Sequence, residues 1–93
     1  MRTHQLKTWP AFYSAIIDGT KTFEVREDDR GYAVGDTLEL CEWEPSNALT
    51  GSYTGREAHC LVTYILPGGR WGIAPNTVVM GFKLIKQGRR GDW

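Results

Sequence analysis

The sequence predicts a mostly β domain with a single N-terminal helix, in the order β-α-β-β-β-β. Five segments alternate apolar and polar residues with the period of two that is typical of strands. Only one segment, between the first two of these, shows the spacing of a helix. Because a doubly wound sheet needs a helix after almost every strand, we expect a small curled sheet or barrel that the helix plugs at one end.

The first strand and the helix are predicted on either side of a proline. "THQLKTW" is the strand, and Pro10 follows it, at a position where proline is well tolerated in the first turn of a helix. The following "AFYSAII" predicts a buried stripe from its i, i+4 spacing, formed by Phe12, Ile16, Tyr13 and Ile17. Gly19 is suited to the left-handed conformation that ends many helices.

The second strand, "KTFEVR", carries both signs of charge between apolar residues. Phe23 and Val25 share one face, and Glu24 and Arg26 share the other, with Lys21 just before them. One interpretation is a solvated face, on which a Glu–Arg pair contributes only ~0–1 kcal/mol. The other is the wall of a recessed polar site. The spacing alone leaves both open.

The other three strands are "DTLELCEW", "YTGREAHCLVTYIL" and "TVVMGFKLI". Their alternation predicts inward faces made of Leu38 and Leu40, then Cys60, Val62, Tyr64 and Leu66, then Val78, Met80, Phe82 and Leu84. We therefore predict one domain over residues 1–86, followed by a flexible basic tail over residues 87–93.

The composition limits the classes of function. Eleven Lys and Arg residues balance eleven Asp and Glu residues, so the net charge is zero and any grip on phosphate requires a local cluster of cations. No apolar run approaches the ~20 residues of a membrane helix, and no apolar leader is evident. We expect a cytoplasmic protein with no membrane partner.

The sequence offers little support for a metal or a cofactor. Cys41 and Cys60 lack a C-x-x-C spacing, and His59 and Cys60, as neighbours on a strand, point to opposite faces. No Ser-His-Asp arrangement and no phosphate-binding P-loop pattern is evident. We therefore predict no metal and no cofactor.

Three segments carry a resemblance to a known family. "HQLK", "GTKTFEVREDDRGYAVGDTLELCEW" and "GREAHCLVTYIL" resemble the DUF3850 branch of the ASCH proteins, within the PUA-like superfamily, over roughly Thr3 to Ile85. The motif is G-x-K-x-x-E-x-R followed by V-G-D. The resemblance implies a small PUA-like β-barrel and an RNA-binding or RNA-processing role in a phage or bacterial setting.

The resemblance also implies where a site lies. The family's cleft residues correspond to Lys21, Glu24 and Arg26, and its H-x-L-K segment to His4 and Lys7. Related amidohydrolases that act on acetylated cytidine have a threonine nucleophile at the position of Glu24. A carboxylate cannot take over that role without another mechanism, so this chain departs from their pattern.

The predicted function is therefore RNA binding, with an unstacked nucleotide in a charged cleft. Arg26 would contact phosphate or stack on a base, and Lys21 would supply a point charge. Glu24 would either accept a hydrogen bond from an exocyclic amine such as N4 of cytosine or orient Lys21 and Arg26. Arg30 and Trp71 are further candidates for contacting the nucleotide.

Two alternatives stay open. One is a metal-independent hydrolase of RNA or a modified nucleoside, with Lys21 as base and Glu24 as acid or orienting group. The other is a phage protein that binds a host protein through an exposed edge strand.

Overall fold

The computed structural model describes residues 1–92. Its elements are β1 (Thr3–Thr8), α1 (Pro10–Ile17), β2 (Phe23–Glu27), β3 (Thr37–Pro45), β4 (Gly51–Pro67) and β5 (Thr77–Arg89). Within the described chain, no helix has the length and apolar character needed to cross a membrane.

The five strands form one curled sheet, a half-barrel, in the spatial order β1-β3-β4-β5-β2. β1 runs parallel to β3, and the other three pairings are antiparallel. The predicted fold class and order of elements are thus confirmed. β1 and β2, the two strands that flank the helix in sequence, are the two edges of the sheet.

Helix α1 begins at the predicted proline and turns only part of the predicted stripe inward. Tyr13 and Ile16 are buried against the sheet, whereas Phe12 is 53% exposed. The prediction that Phe12 is buried is therefore wrong. An eight-residue helix covers the sheet with a narrow stripe, and Phe12 lies beside that stripe, facing away from the core. Gly19 adopts the expected positive φ of 86° after the helix.

The core lies on the concave face of the sheet and contains most of the predicted residues. Leu38, Leu40, Cys60, Val62, Val78, Met80 and Phe82 are all buried, and Leu84 packs against them. Tyr64 and Leu66 are the exceptions, because Tyr64 is 67% exposed and the half-buried Leu66 is not among the residues that pack against the core. A register shift between Val62 and Tyr64 breaks the alternation of β4, so Ile65 packs against the core instead.

The last strand is longer than predicted. β5 continues to Arg89, and Gly88 and Arg89 pair with Glu57 and Arg56 of β4. The predicted tail therefore starts too early at residue 87, because the backbone hydrogen bonds of the ladder continue beyond the apolar pattern that marked the strand. Trp93, the last residue of the predicted tail, lies outside the described residues.

Candidate nucleic-acid interface at the seam of the half-barrel

The two edge strands approach each other and enclose an open cleft. We call this line of approach the seam; across it, Arg26 of β2 donates a hydrogen bond from Nη2 to the carbonyl oxygen of Lys7 of β1, at 2.6 Å. The cleft measures about 510 Å³ and is lined by Lys7, Thr8, Trp9, Phe12, Lys21, Phe23, Glu24, Val25 and Arg26. The seam thus brings together residues from β1, α1 and β2.

The charged face of β2 is its inner face. Glu24 is 4% exposed, while Phe23 and Val25, its apolar neighbours, are 45% and 53% exposed. Lys21 donates from Nζ to Oε1 of Glu24, and Arg26 donates from Nε to Oε2 at 2.9 Å. The structure therefore excludes the solvated-face interpretation of "KTFEVR", because Lys21 and Arg26 converge on the buried carboxylate of Glu24.

Pairing with β5 sets this orientation. Glu24 lies opposite the fully buried Met80, so its side chain is directed toward the concave face. The buried thiol of Cys60 is close enough to experience the charge of Glu24. Burial and, to a smaller extent, that charge raise the pKa of Cys60 to about 12. This thiol is therefore not an activated nucleophile.

Exposed aromatic side chains form the rim of the cleft. Trp9 and Phe12 are 55% and 53% exposed, and Phe23 completes the group. The ammonium of Lys21 lies 5.3 Å from the ring centroids of both Phe12 and Phe23. Sequence reasoning missed these three residues as site residues: Phe12 was predicted in the buried stripe of the helix, and no contact role was predicted for Trp9 or Phe23.

Lys7 lies at the same end of β1 and is also held by an aromatic ring. Its ammonium is 4.6 Å from the ring centroid of Trp43, at the end of β3. The predicted contact residue Lys7 therefore does line the cleft, with its charge directed along the outer surface of the sheet.

His4, another predicted contact residue, is buried away from the cleft. It is 5% exposed, packs edge-on against Tyr32 and places Nε2 2.8 Å from Oδ2 of Asp36. Since an ionised carboxylate only accepts, His4 donates here. The hydrogen bond from His4, with those from the backbone N–H groups of Arg2 and Ala33, lowers the pKa of Asp36 to about 2.

Arg30 and Trp71 also lie outside the lining of the cleft. Arg30 donates to the carbonyl oxygen of Gln5 at 3.2 Å and pairs loosely with Asp29, at 3.8 Å. Trp71 is 78% exposed, with a positive φ of 59°, in the loop between β4 and β5. Their predicted roles in RNA binding find no support in the geometry of the seam.

A group of metal-ligating side chains lies on the outer face of β3 and β4. Within residues 1–92, ligand atoms of Glu39, Glu57 and His59 lie within 4.8 Å of one another. Glu57 already accepts hydrogen bonds from Arg90 and from His59, the latter at 3.0 Å. These contacts lower the pKa of Glu57 although burial acts in the opposite direction. The expected absence of a metal stays a prediction.

Comparison with known proteins gives one family and one relative. A family model described as "Domain of unknown function (DUF3850)" matches residues 3–82. A protein of Escherichia phage P2, described as "Uncharacterized 12.9 kDa protein in GpA 3'region", is 31% identical over 70 residues. That match covers 75% of this chain, and the chain spans about 60% of the relative's length.

Proposed function

We propose, from the premise that this chain belongs to the DUF3850 family, that it is an RNA-binding module of the PUA-like, ASCH type. The cleft at the seam would hold one unstacked nucleotide of a single strand. Sequence-specific proteins contact RNA mostly through such exposed bases, stacked on aromatic rings and hydrogen-bonded at their edges.

One observation carries the proposal: a buried carboxylate, the two cations paired with it and exposed aromatic rings meet in one open cleft, and a third cationic residue, Lys7, contributes to its lining. Lys7, Lys21 and Arg26 outnumber the single acid, Glu24, in its lining. A chain of zero net charge has no overall field to attract phosphate, so this local excess of positive charge is significant. The volume of about 510 Å³ is within the usual range of ligand sites.

The aromatic rim supplies the second component of affinity. Stacking of a base on an aromatic side chain is worth about 1–3 kcal/mol and tolerates any base. Trp9 and Phe12 expose about half of their surfaces at the cleft. The exposed rings of Phe12 and Phe23 lie next to the Lys21 ammonium, an arrangement suited to a flat, partly charged ligand.

Salt dependence tests the electrostatic part. Titration of labelled single-stranded RNA should show an affinity that falls with salt, with a slope of log K against log salt of about −1.4 to −2.1 for two to three neutralised phosphates. Absence of binding at ~50 mM salt would refute the proposal.

Paired variants test the location. Trp9→Ala should weaken RNA binding about 5- to 150-fold, as expected for one lost stacking contact. Trp71→Ala removes an exposed tryptophan outside the cleft and should leave RNA affinity unchanged. In the same way, Lys7→Ala should weaken RNA binding, whereas Lys83→Ala, its control outside the cleft, should not. If Trp71→Ala weakens binding as much as Trp9→Ala does, the β4–β5 loop rather than the seam binds RNA.

Hydrolysis is the second candidate, favoured by the direct contact between Lys21 and Glu24 in a cleft open to water. Prolonged incubation with RNA and with modified nucleosides measures it. Turnover that is abolished by Glu24→Gln would show that the protein is an enzyme. Recovery of intact RNA from a tight complex would show that it is a binding module.

A further inference from the structure

The floor of the cleft contains a hydroxyl group that the fold leaves without a partner. Thr8 ends β1 with its side chain turned inward, is 2% exposed and lines the cleft. Its Oγ1 makes no hydrogen bond to any of residues 1–92. Nearly all buried polar atoms in native proteins are paired, so one that is unpaired at a cleft indicates a group that the cleft receives.

The same cleft is lined by a carboxylate, Glu24, that still has accepting capacity. Each oxygen of Glu24 receives one hydrogen bond, from Lys21 or from Arg26. A carboxylate oxygen accepts at two positions, so both oxygens can accept again. The floor of the cleft therefore combines a pair of acceptors on β2 with a donor, the Thr8 hydroxyl, on β1.

We propose that the cleft selects guanine among the four RNA bases, an inference that rests on the proposed function. Guanine alone presents two adjacent donors, its ring N1–H and its N2 amino group, to a carboxylate, and its O6 acceptor lies beside them. The N1–H and the amino group donate to the two oxygens of Glu24. The hydroxyl of Thr8 donates to O6, so Oγ1 of Thr8 gains the partner that it lacks in the free protein.

The other bases leave an unfavourable contact at the same floor. Adenine and cytosine place an unprotonated ring nitrogen beside their amino group, so one carboxylate oxygen faces an acceptor. Uracil places its single N–H between two carbonyl groups. When this N–H donates to one oxygen of Glu24, the other carboxylate oxygen faces a carbonyl oxygen and is repelled, whichever way the base is turned. A polar site rejects ligands that leave buried groups unpaired, and this is the physical origin of the selectivity.

Nucleoside monophosphates test the inference directly. GMP should bind at least about tenfold more tightly than AMP, CMP or UMP. IMP, which differs from GMP only by lacking the N2 amino group, should bind about tenfold more weakly than GMP. These affinities are measured by calorimetric titration of the full chain at low salt, in parallel with the labelled RNA described above.

Substitution of the hydroxyl separates a ligand contact from a structural role. Thr8→Val should weaken GMP binding about tenfold while the melting temperature of the free protein is unchanged or higher, because an unpaired buried hydroxyl is replaced by a methyl group. Thr8→Ser keeps the hydroxyl and should retain the preference for GMP.

The outcomes distinguish this inference from the proposed function. Equal affinity for all five nucleotides, with RNA binding still weakened by Trp9→Ala, would overturn the guanine selectivity and leave RNA binding in place. Failure of every nucleotide and of RNA to bind would overturn both. Unchanged GMP affinity in Thr8→Val would overturn the role of Thr8.

Discussion

Two buried carboxylates, Asp36 and Glu24, occupy contrasting environments in this fold. Asp36 is enclosed: it accepts from His4 and from the backbone N–H groups of Arg2 and Ala33, and its pKa is lowered to about 2. Glu24 is paired with two flexible cations and lines an open cleft. Asp36 is held by backbone donors and one histidine, whereas the partners of Glu24 are two side chains that line the cleft with it.

The largest expected effect is the loss of both partners of Glu24. Lys21→Met combined with Arg26→Met should lower the free energy of unfolding by about 3–5 kcal/mol, because an uncompensated charge stays buried. Adding Glu24→Leu should recover much of this loss. Urea denaturation measures it, and a triple variant less stable than the double variant would show that Glu24 does not depend on these cations.

The enclosed carboxylate should have a smaller effect that depends on pH. The pKa of Asp36 lies below its ordinary value of 3.8 in the folded state, at about 2, so its contribution of about 2 kcal/mol is present above pH ~4. It decreases as the pH falls through the folded pKa. Asp36→Asn should therefore be destabilised at pH 7 and close to the parent near pH 2. A constant difference between these pH values would contradict the assignment.

Lys7 separates binding from stability at the seam. Its contact with the Trp43 ring is exposed, so Lys7→Ala should cost only about 0.5–1 kcal/mol of unfolding free energy. RNA affinity should nevertheless fall several-fold, with a shallower salt dependence, because one phosphate contact is lost. If stability falls while RNA affinity and salt slope are unchanged, Lys7 has a structural role only.

The smallest effect is expected for Arg30, which lies outside the cleft that contains Glu24. Its pairing with Asp29 is exposed and 3.8 Å long, so Arg30→Ala should change unfolding free energy by roughly 0–1 kcal/mol and leave RNA affinity unchanged. A clear loss of affinity would extend the interface beyond the seam.

The elements of this fold were predictable because their signals are local. Period-two alternation around Leu38 and Leu40, or along Val78, Met80 and Phe82, depends on neighbours in sequence and survives in the structure. The order of the elements followed directly. Tyr64 was not predictable, because a register shift between paired strands is a property of two strands and leaves no period in one of them.

The site was only half predictable for a related reason. The ionic residues Lys21, Glu24 and Arg26 were identified by a motif, and they converge as predicted. The apolar rim was not identified, because residues such as Phe12 resemble core residues until both edges of the sheet are placed. The unpaired hydroxyl of Thr8 could not be found at all, since the absence of a partner is visible only when every possible partner has been located.

The order of the strands also has a consequence for a chain that is still being synthesised. β2 carries Glu24 near the start of the sequence, yet it is aligned only by β5, close to its other end. Contacts so distant in sequence form late, since a long loop must close first. A nascent or truncated chain that lacks β5 therefore has every residue that lines the cleft but lacks the strand that aligns Glu24.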